Sequence, residues 1–205
     1  MNERRRRRYD FKPALVPTVA AIVLTGLFIT LGVWQLNRAQ EKQAMLSRYE
    51  ALGQRRPVEL KLPVVNEARW RYRTVRLTGR FDREHQFLFD NQVYRGRVGY
   101  NVLTLLQPPG AEQRVLIDRG WIPAGTSRGQ LPHIPVTARR VTIQGEVYVP
   151  YEDGYRLGGM DTGERGWPRR IQFIDFEQIA RRAAAPLARM IVRLNPASPH
   201  GYVRD

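Results

Sequence analysis

Residues Ala14 to Leu36 read ALVPTVAAIVLTGLFITLGVWQL and contain no charged side chain. An α-helix rises about 1.5 Å per residue, so this run is long enough to cross a hydrocarbon core of about 30 Å. Pro17 falls in the first turn, where a missing backbone donor costs least. A buried core helix and a cleaved secretion signal are the alternatives, but apolar regions of signals span about 7–15 residues. The sequence therefore predicts a transmembrane helix.

The charges that flank this helix predict its orientation. Arg4 to Arg8 and Lys12 precede it, whereas Arg38 and Lys42 follow it and are partly offset by Glu41. Because the more basic flank stays in the cytoplasm, the C-terminal bulk of the chain is expected outside. We therefore expect a basic cytoplasmic arm over 1–12, a transmembrane helix with an extramembrane extension over 13–52, and an exported domain over 53–205. In a bacterium this places the chain in the inner membrane, with its main domain in the periplasm.

Composition narrows the chemistry of the domain. The chain has no cysteine, which excludes disulfides, thiolate metal sites and a cysteine nucleophile. A net charge of +15 would ordinarily point to nucleic acid, but an exported domain does not meet it, so we expect no nucleic-acid partner. The excess arginine fits a solvated surface. The functional alternative is attraction to anionic lipid headgroups, haem propionates or an acidic protein.

After Arg69 the apolar period changes from helical to two, which predicts strands. Extended, proline-containing sequence from Gln54 to Arg69 is expected to lead into them. The predicted strands are Tyr72 to Phe81, Gln86 to Phe89, Gly99 to Leu106, Arg114 to Trp121, Arg140 to Val149 and Met190 to Leu194, with a turn at Asp90-Asn91. Their spacing favours an antiparallel meander.

The remaining segments predict two long loops and one short helix. Ile122 to Thr137 and Pro150 to Pro168 are rich in proline and glycine with little periodicity. Asp175 followed by Gln178 resembles a capping box that opens a helix from Phe176 to Ala185, after a short apolar run from Ile171. The predicted fold class is α+β, an N-terminal transmembrane helix followed by an antiparallel, partly closed, barrel-like β-domain with one short helix.

No catalytic constellation is visible in the sequence. His85, His133 and His200 are the three histidines, and none has a metal-ligand partner at the spacing of HxxxH. The acidic pairs Asp82 with Glu84 and Glu152 with Asp153 fit solvated turns better than acid–base catalysts. The residues therefore predict a membrane-anchored binding or assembly module, not an enzyme and without a metal site, with an unknown hydrolase as a distant alternative.

Four motifs in sequence order are more specific. They are GVWQLNR at 32–38, TGRF at 78–81, GYNVLT at 99–104 and VLIDRGWIP at 115–123. With WPRRIQFID at 167–175 and the terminal NPASPHGYVRD, they resemble the Surfeit locus protein 1 family, the assembly factors of cytochrome c oxidase. The resemblance covers nearly the whole chain.

This resemblance implies a factor that helps to insert haem a into the catalytic subunit of a haem-copper oxidase. The implied partners are cytochrome c oxidase subunits, first the haem-bearing subunit, together with haem a synthesis enzymes and membrane lipids. The alternative is a structural scaffold that contacts oxidase subunits without binding haem. Members of the family that this chain resembles normally have a second, C-terminal transmembrane span with a KHxGYAxQWF pattern. The histidine of that pattern is the natural haem ligand. The sequence here ends at Asp205, so the axial histidine is expected on a helix absent from this chain, and His200 is not assigned that role.

The family motifs also imply candidate site residues. Trp34 and Gln35 are candidates for contact with the haem macrocycle, although an interfacial tryptophan anchor explains Trp34 equally well. Arg38 is a candidate partner of a haem propionate or of a lipid phosphate. Tyr100, Arg119 and Trp121 are candidates for a partner or cofactor surface. A structural role is open for all three, with Tyr100 in the core, Arg119 bridging loop carbonyls and Trp121 capping the domain.

Overall fold

The computed structural model describes residues 14–53, 56–125, 130–137, 139–150 and 166–204. The chain divides between Tyr49 and Glu50 into two compact units, an N-terminal helix and a strand-rich domain. The predicted basic arm over 1–12 and most of the loop predicted from Pro150 to Pro168 lie outside the described residues. The α+β class is confirmed, because one apolar helix is followed by strands and one further α-helix.

The apolar stretch forms helix α1, Leu15–Gly53, as its composition predicts. Its segment Leu15–Ala44 is long and apolar enough to cross a membrane, with a mean hydropathy of 2.2. The side chains of residues 14–44 are all exposed, which does not fit the alternative of a buried core helix. The hydroxyls of Thr18 and Thr30 donate to the carbonyls of Ala14 and Leu27, at 2.9 and 2.8 Å, so these polar groups are satisfied within the helix.

The second unit is built on one seven-stranded sheet. Its elements are β1 (Val58–Glu59), β2 (Thr74–Tyr94), β3 (Arg97–Gln107), β4 (Arg114–Pro123), β5 (Arg140–Tyr148), β6 (Arg169–Ile171), α2 (Phe176–Arg182) and β7 (Leu187–Leu194). A 3-10 helix, Glu67–Trp70, lies between β1 and β2. The extended connector predicted from Gln54 to Arg69 therefore contains two short elements that the proline-rich sequence did not reveal.

The sheet is mixed, so the prediction of an antiparallel domain is wrong for three pairings. Strands β2, β3 and β4 form the expected antiparallel meander, and β5 pairs antiparallel with β2 and β7. However, β1 and β6 run parallel to β2, and β7 runs parallel to β4. Strand β2 pairs with β3 and also with β5, which is the last strand in the order of the sheet. The sheet nevertheless does not form a clear barrel.

One strand replaces the first two predicted strands. The pairing of β2 with β3 shifts between Phe81 and Gln86 and again between Phe89 and Gln92. The acidic residues Asp82 and Glu84 lie in the first irregularity, and Asp90-Asn91 lies in the second. The strand continues through both, so neither segment forms the predicted turn. The chain reverses instead at Arg95-Gly96, where both residues have positive φ (46° and 74°), as a tight two-residue hairpin requires.

The short helix begins where the capping box predicts. The Asp175 carboxylate accepts hydrogen bonds from the backbone N–H groups of Glu177 and Gln178, each at 3.0 Å. The helix ends at Arg182, earlier than the predicted Ala185, because Ala184 adopts positive φ. The strand that follows starts at Leu187, three residues before the predicted Met190.

Apolar side chains of the sheet form three clusters. The first lies between β2, β4, β5 and β7 and includes Leu77, Phe81 and Val192. The second packs Ile179 of α2 against the sheet. The third contains Tyr100, which is 2% exposed and belongs to the core together with Leu88, Val102 and Ile134.

Candidate functional site

Strand β4, which contains the VLIDRGWIP motif, has a β-bulge that sets the direction of the Asp118 and Trp121 side chains. Asp118 lies opposite Leu103 of β3, while Trp121 lies opposite Asn101, so β4 has one more residue than its partner in this interval. Gly120 occupies the bulge with φ of 103°, a conformation that favours glycine. As a result, Asp118 and Trp121 both line the same cavity although they are three residues apart.

Arg119 does not line that cavity, and its side chain is 7% exposed. Its Nε donates to the carbonyl of His200 at 2.8 Å, and both Nη atoms approach the carbonyl of Pro135 at 3.4 Å. The guanidinium also lies over the rings of Phe81 and Tyr202, at 5.2 and 5.0 Å. Burial lowers the pKa of Arg119, partly offset by Tyr202. These contacts bridge loop carbonyls; a role for Arg119 in partner or cofactor binding stays a prediction.

The C-terminal tail is attached along the same strand. Tyr202 N–H donates to the carbonyl of Arg119 at 2.6 Å, and Trp121 exchanges two backbone hydrogen bonds with Val203, at 2.7 and 3.2 Å. Arg204 donates to the carbonyls of Arg119, Pro196 and Ser198 at 3.2 to 3.3 Å. A side chain at Gly120 would meet Arg204 and Val203, so glycine at this position allows the tail to pack against the strand.

The indole of Trp121 is fixed on the opposite side by the β2–β3 hairpin. Its Nε1 donates to the carbonyl of Gln92 at 3.1 Å, and its ring lies 5.4 Å from that of Tyr94. A side chain at Gly99 would collide with the Trp121 ring and with the carbonyl of Ile122. The absence of a side chain at Gly99 in the GYNVLT motif therefore leaves the space that the Trp121 ring of the RGW motif occupies.

Trp121 forms one wall of a cleft of about 540 Å³. That volume is within the range of small-molecule sites, about 300–1,000 Å³. Aromatic rings surround the cleft, and it contains a few polar groups. The rings belong to Phe89, Tyr94, Trp121, Tyr148 and Phe173, and the polar side chains to Gln92, Asn101, Asp118, Arg193 and Arg204.

A row of polar side chains crosses neighbouring strands inside this cleft. Asn101 Nδ2 donates to Asp118 Oδ2 at 3.0 Å, and the Gly120 N–H donates to Oδ1 at 2.9 Å. Burial raises the pKa of Asp118, although these hydrogen bonds and the charges of Arg193 and Arg204 act against the shift. Arg193 lies opposite Asp118 on β7, with its guanidinium 4.1 Å from the centre of the Tyr148 ring.

The sequence motifs predict Trp121 as a site residue, but they do not predict Asn101, Asp118 or Arg193. Asn101 and Asp118 are adjacent in sequence to the candidate residues of the GY and RGW motifs. This adjacency is the one sequence feature that could have predicted them. Arg193 had no local signal, because its place beside Asp118 depends on the parallel pairing of β4 and β7.

The three histidines are not brought into the cleft. His85 Nδ1 lies 2.9 Å from the carboxylate of Asp82, which also accepts a hydrogen bond from Arg114 at 2.6 Å. His200 packs its ring near Phe81, with 6.3 Å between ring centres, and His133 is exposed. Within the described parts of the chain, no three His, Cys, Asp or Glu side chains converge into a metal site.

The other candidates, Trp34, Gln35 and Arg38, lie on one turn of α1. All three side chains are exposed, Trp34 at 58%, and Arg38 Nη1 lies 3.5 Å from Glu41 Oε2 in an exposed pair. A planar ligand edge and a carboxylate could be held there by an indole, an amide and a guanidinium. The described part of α1 contains no histidine, and none of these three side chains is a usual ligand of haem iron.

The chain thus combines an apolar helix with a strand-rich domain that contains an aromatic cleft. A family model described as the SURF1 family matches residues 22–204, which include most of the helix and nearly all of the domain. The chain belongs to this family. It is also 27% identical over 123 residues to the cytochrome oxidase assembly protein SHY1 of Saccharomyces cerevisiae. The match covers 59% of this chain and 31% of the yeast protein.

Proposed function

We propose that this chain is a membrane-anchored factor in the assembly of cytochrome c oxidase. The observation that carries the proposal is the family match over 22–204, because it includes both the apolar helix and the domain with its cleft. In this proposal α1 anchors the chain in the inner membrane of a bacterium, and the domain faces the periplasm. The non-enzymatic assignment fits assembly factors such as SHY1.

The finer proposal is that the factor assists insertion of haem a or stabilises the catalytic subunit that receives it. Trp34, Gln35 and Arg38 would contact the edge and propionates of haem, while the axial ligand would come from another segment or protein. The cleft beside Trp121 would receive a segment of an oxidase subunit, since its aromatic walls and polar row suit apolar side chains with a polar backbone.

A complementation experiment tests the role in assembly. The host should be a bacterium that lacks its own factor of this family, and the readouts are oxidase activity and haem a absorbance of its membranes. We expect this chain to restore both oxidase activity and haem a absorbance. Arg193 is exposed and lines the cleft, and the Arg193→Glu variant should reduce this restoration several-fold. Arg97→Glu makes the same charge change outside the cleft and should restore fully. Failure of the unaltered chain at normal abundance would contradict the proposal.

A second candidate function is a scaffold that contacts oxidase subunits without binding haem, favoured by the absence of histidine from the described part of α1. The visible spectrum of the chain, purified in detergent after co-expression with haem a synthesis enzymes, separates the two. Haem contact predicts a coloured protein that loses colour in Trp34→Leu and Arg38→Gln variants. The scaffold predicts a colourless protein that still supports assembly.

A further inference from the structure

Two arginines face each other on the exposed side of the sheet, away from the cleft. Arg80 of β2 is directly opposite Arg140 of β5, and both side chains are exposed. Directly opposed residues on antiparallel strands have Cβ atoms about 4.5–5.5 Å apart, and like charges in such positions destabilise the pair. Two residues away along the same two strands, the hydroxyls of the opposed Thr78 and Thr142 are joined by a hydrogen bond of 2.8 Å, which supports this register.

Among the described residues no carboxylate lies within 4.0 Å of either guanidinium group, although Asp82 and Glu84 line a neighbouring cavity with Arg80. The closest acid along β2, Asp82, is bound by Arg114 at 2.6 Å and by His85 at 2.9 Å. Arg181 and Arg189, which are also exposed, both approach Glu177, at 3.8 and 3.9 Å. Arg80 and Arg140 are therefore directly opposed like charges without a salt bridge in the described part of the chain, which carries a cost to stability.

The two guanidinium groups also border a concave surface. A cavity of about 320 Å³ lies between Arg80, Arg140, Gln107 and the turn at 108–111. Gln107 is held on its other side, because its amide donates to the carbonyl of Ala111 and its Oε1 accepts from Arg114 at 2.7 Å. The cavity is therefore a concave recess that both arginines line.

We propose that Arg80 and Arg140 form a binding site for a phosphate group. One guanidinium fork already satisfies a carboxylate, whereas a phosphate offers oxygens to two forks at once and so suits a pair of arginines. The phosphate can come from an anionic lipid headgroup or from free phosphate. The lipid source rests on the proposed membrane anchoring, because a bilayer that holds α1 keeps headgroups at high local concentration around the domain. The site itself does not depend on a role in oxidase assembly.

The test is thermal unfolding of the full chain in neutral detergent, at constant ionic strength balanced with chloride. The probes are inorganic phosphate, dihexanoylphosphatidylglycerol and, as a zwitterionic comparison, dihexanoylphosphatidylcholine. A ligand that binds only the folded state at about one hundred times its Kd should raise Tm by about 5 °C. A response to phosphatidylglycerol alone assigns the site to headgroups, and a response to inorganic phosphate shows that the phosphate group suffices. No response to either probe beyond that to chloride would overturn the proposal.

The variants Arg80→Gln and Arg140→Gln should abolish this rise, while Arg97→Gln, an exposed arginine on β3 outside the recess, should keep it. Without any probe, at low salt, Arg140→Gln should melt at a higher temperature than the unaltered chain, because the like-charge pair is removed. A merely structural arginine would give the opposite result. A retained phosphate response in both variants would also refute the site. Because oxidase is not part of this assay, its outcome is independent of the complementation experiment.

Discussion

Gly120 shows how one residue sets the geometry of the cleft. Its positive φ of 103° creates the bulge that turns both Asp118 and Trp121 toward the cavity. The space where a side chain would lie is occupied by Arg204 Cγ and the carbonyl oxygen of Val203, at 2.6 and 2.7 Å from an ideal Cβ. Gly120 thus allows the backbone conformation of the bulge and the packing of the tail, while Asp118 and Trp121 provide the side chains that line the cleft.

Gly120→Ala should therefore lower the free energy of unfolding by about 2–3 kcal/mol, from backbone strain and displacement of the tail. Denaturant unfolding of the full chain measures this. Gly110→Ala is the matched control, because Gly110 also has positive φ (71°) but nothing within 4 Å of an added Cβ. The control should lose only about 1 kcal/mol. Equal losses in the two variants would show that the tail contact contributes nothing.

Two aspartates should respond to acid in opposite directions. Burial opposes ionisation of Asp82, but hydrogen bonds from the His85 and Glu84 backbone and the His85 ring outweigh it and lower its pKa below the ordinary value for an aspartate. Its stabilisation is therefore complete above the unfolded pKa and is lost as the pH falls through the folded value. For Asp118, whose pKa burial raises, the favourable contribution exists at low pH and is lost as the pH rises.

We expect Asp82→Asn to cost about 2 kcal/mol at pH 7, because Arg114 and His85 lose their anionic partner, and the cost should shrink below about pH 4. Stability relative to the unaltered chain, measured by denaturant between pH 3 and 7, gives the curve. Asp118→Asn should give a curve of opposite slope, with its relative stability increasing toward pH 7. Parallel curves for the two variants would show that these environments do not differ as described.

At the scale of elements, the β2–β3 hairpin carries a residue that its turn does not favour. Arg95 has φ of 46° at the first of two turn positions, which asparagine tolerates better than arginine. Arg95→Asn creates an Asn-Gly turn and should stabilise the domain by about 0.5–1 kcal/mol in thermal unfolding. Arg97→Asn, in the strand itself, should give no gain. A loss of stability in Arg95→Asn would mean that the Arg95 side chain over the Tyr94 ring, 5.3 Å away, matters more than the turn.

Local signals predicted the elements whose stability is local. The charge-free run from Ala14 and the Asp175 cap specify α1 and the start of α2, and alternation specifies the strands. The sequence could not show that β7 lies parallel to β4 or that β2 continues through Asp82 to Tyr94, because those features depend on pairing between distant segments. For the same reason Trp121 was found from its motif, whereas Arg193 was not.

At the scale of the whole molecule, the two compact units differ in what stabilises them. The domain contains its own core, since all three clusters of buried side chains lie between Leu60 and Leu194. Helix α1 buries none of its residues 15–44, so an apolar environment such as a bilayer would satisfy their apolar side chains. The domain should therefore fold without the helix, whereas the helix should determine where the chain resides.

A fragment comprising residues 56–205 tests both statements. It should be soluble without detergent and unfold cooperatively with a Tm within about 2 °C of that of the full chain, because its core is complete. In cell fractionation the full chain should stay in the membrane pellet after alkaline carbonate, which strips peripheral proteins, while the fragment should be released. Replacing Ala14 to Leu36 with an unrelated apolar span should restore retention in the pellet. If the fragment also resisted extraction, the domain itself would insert into the bilayer, and the assignment of anchoring to α1 would be wrong.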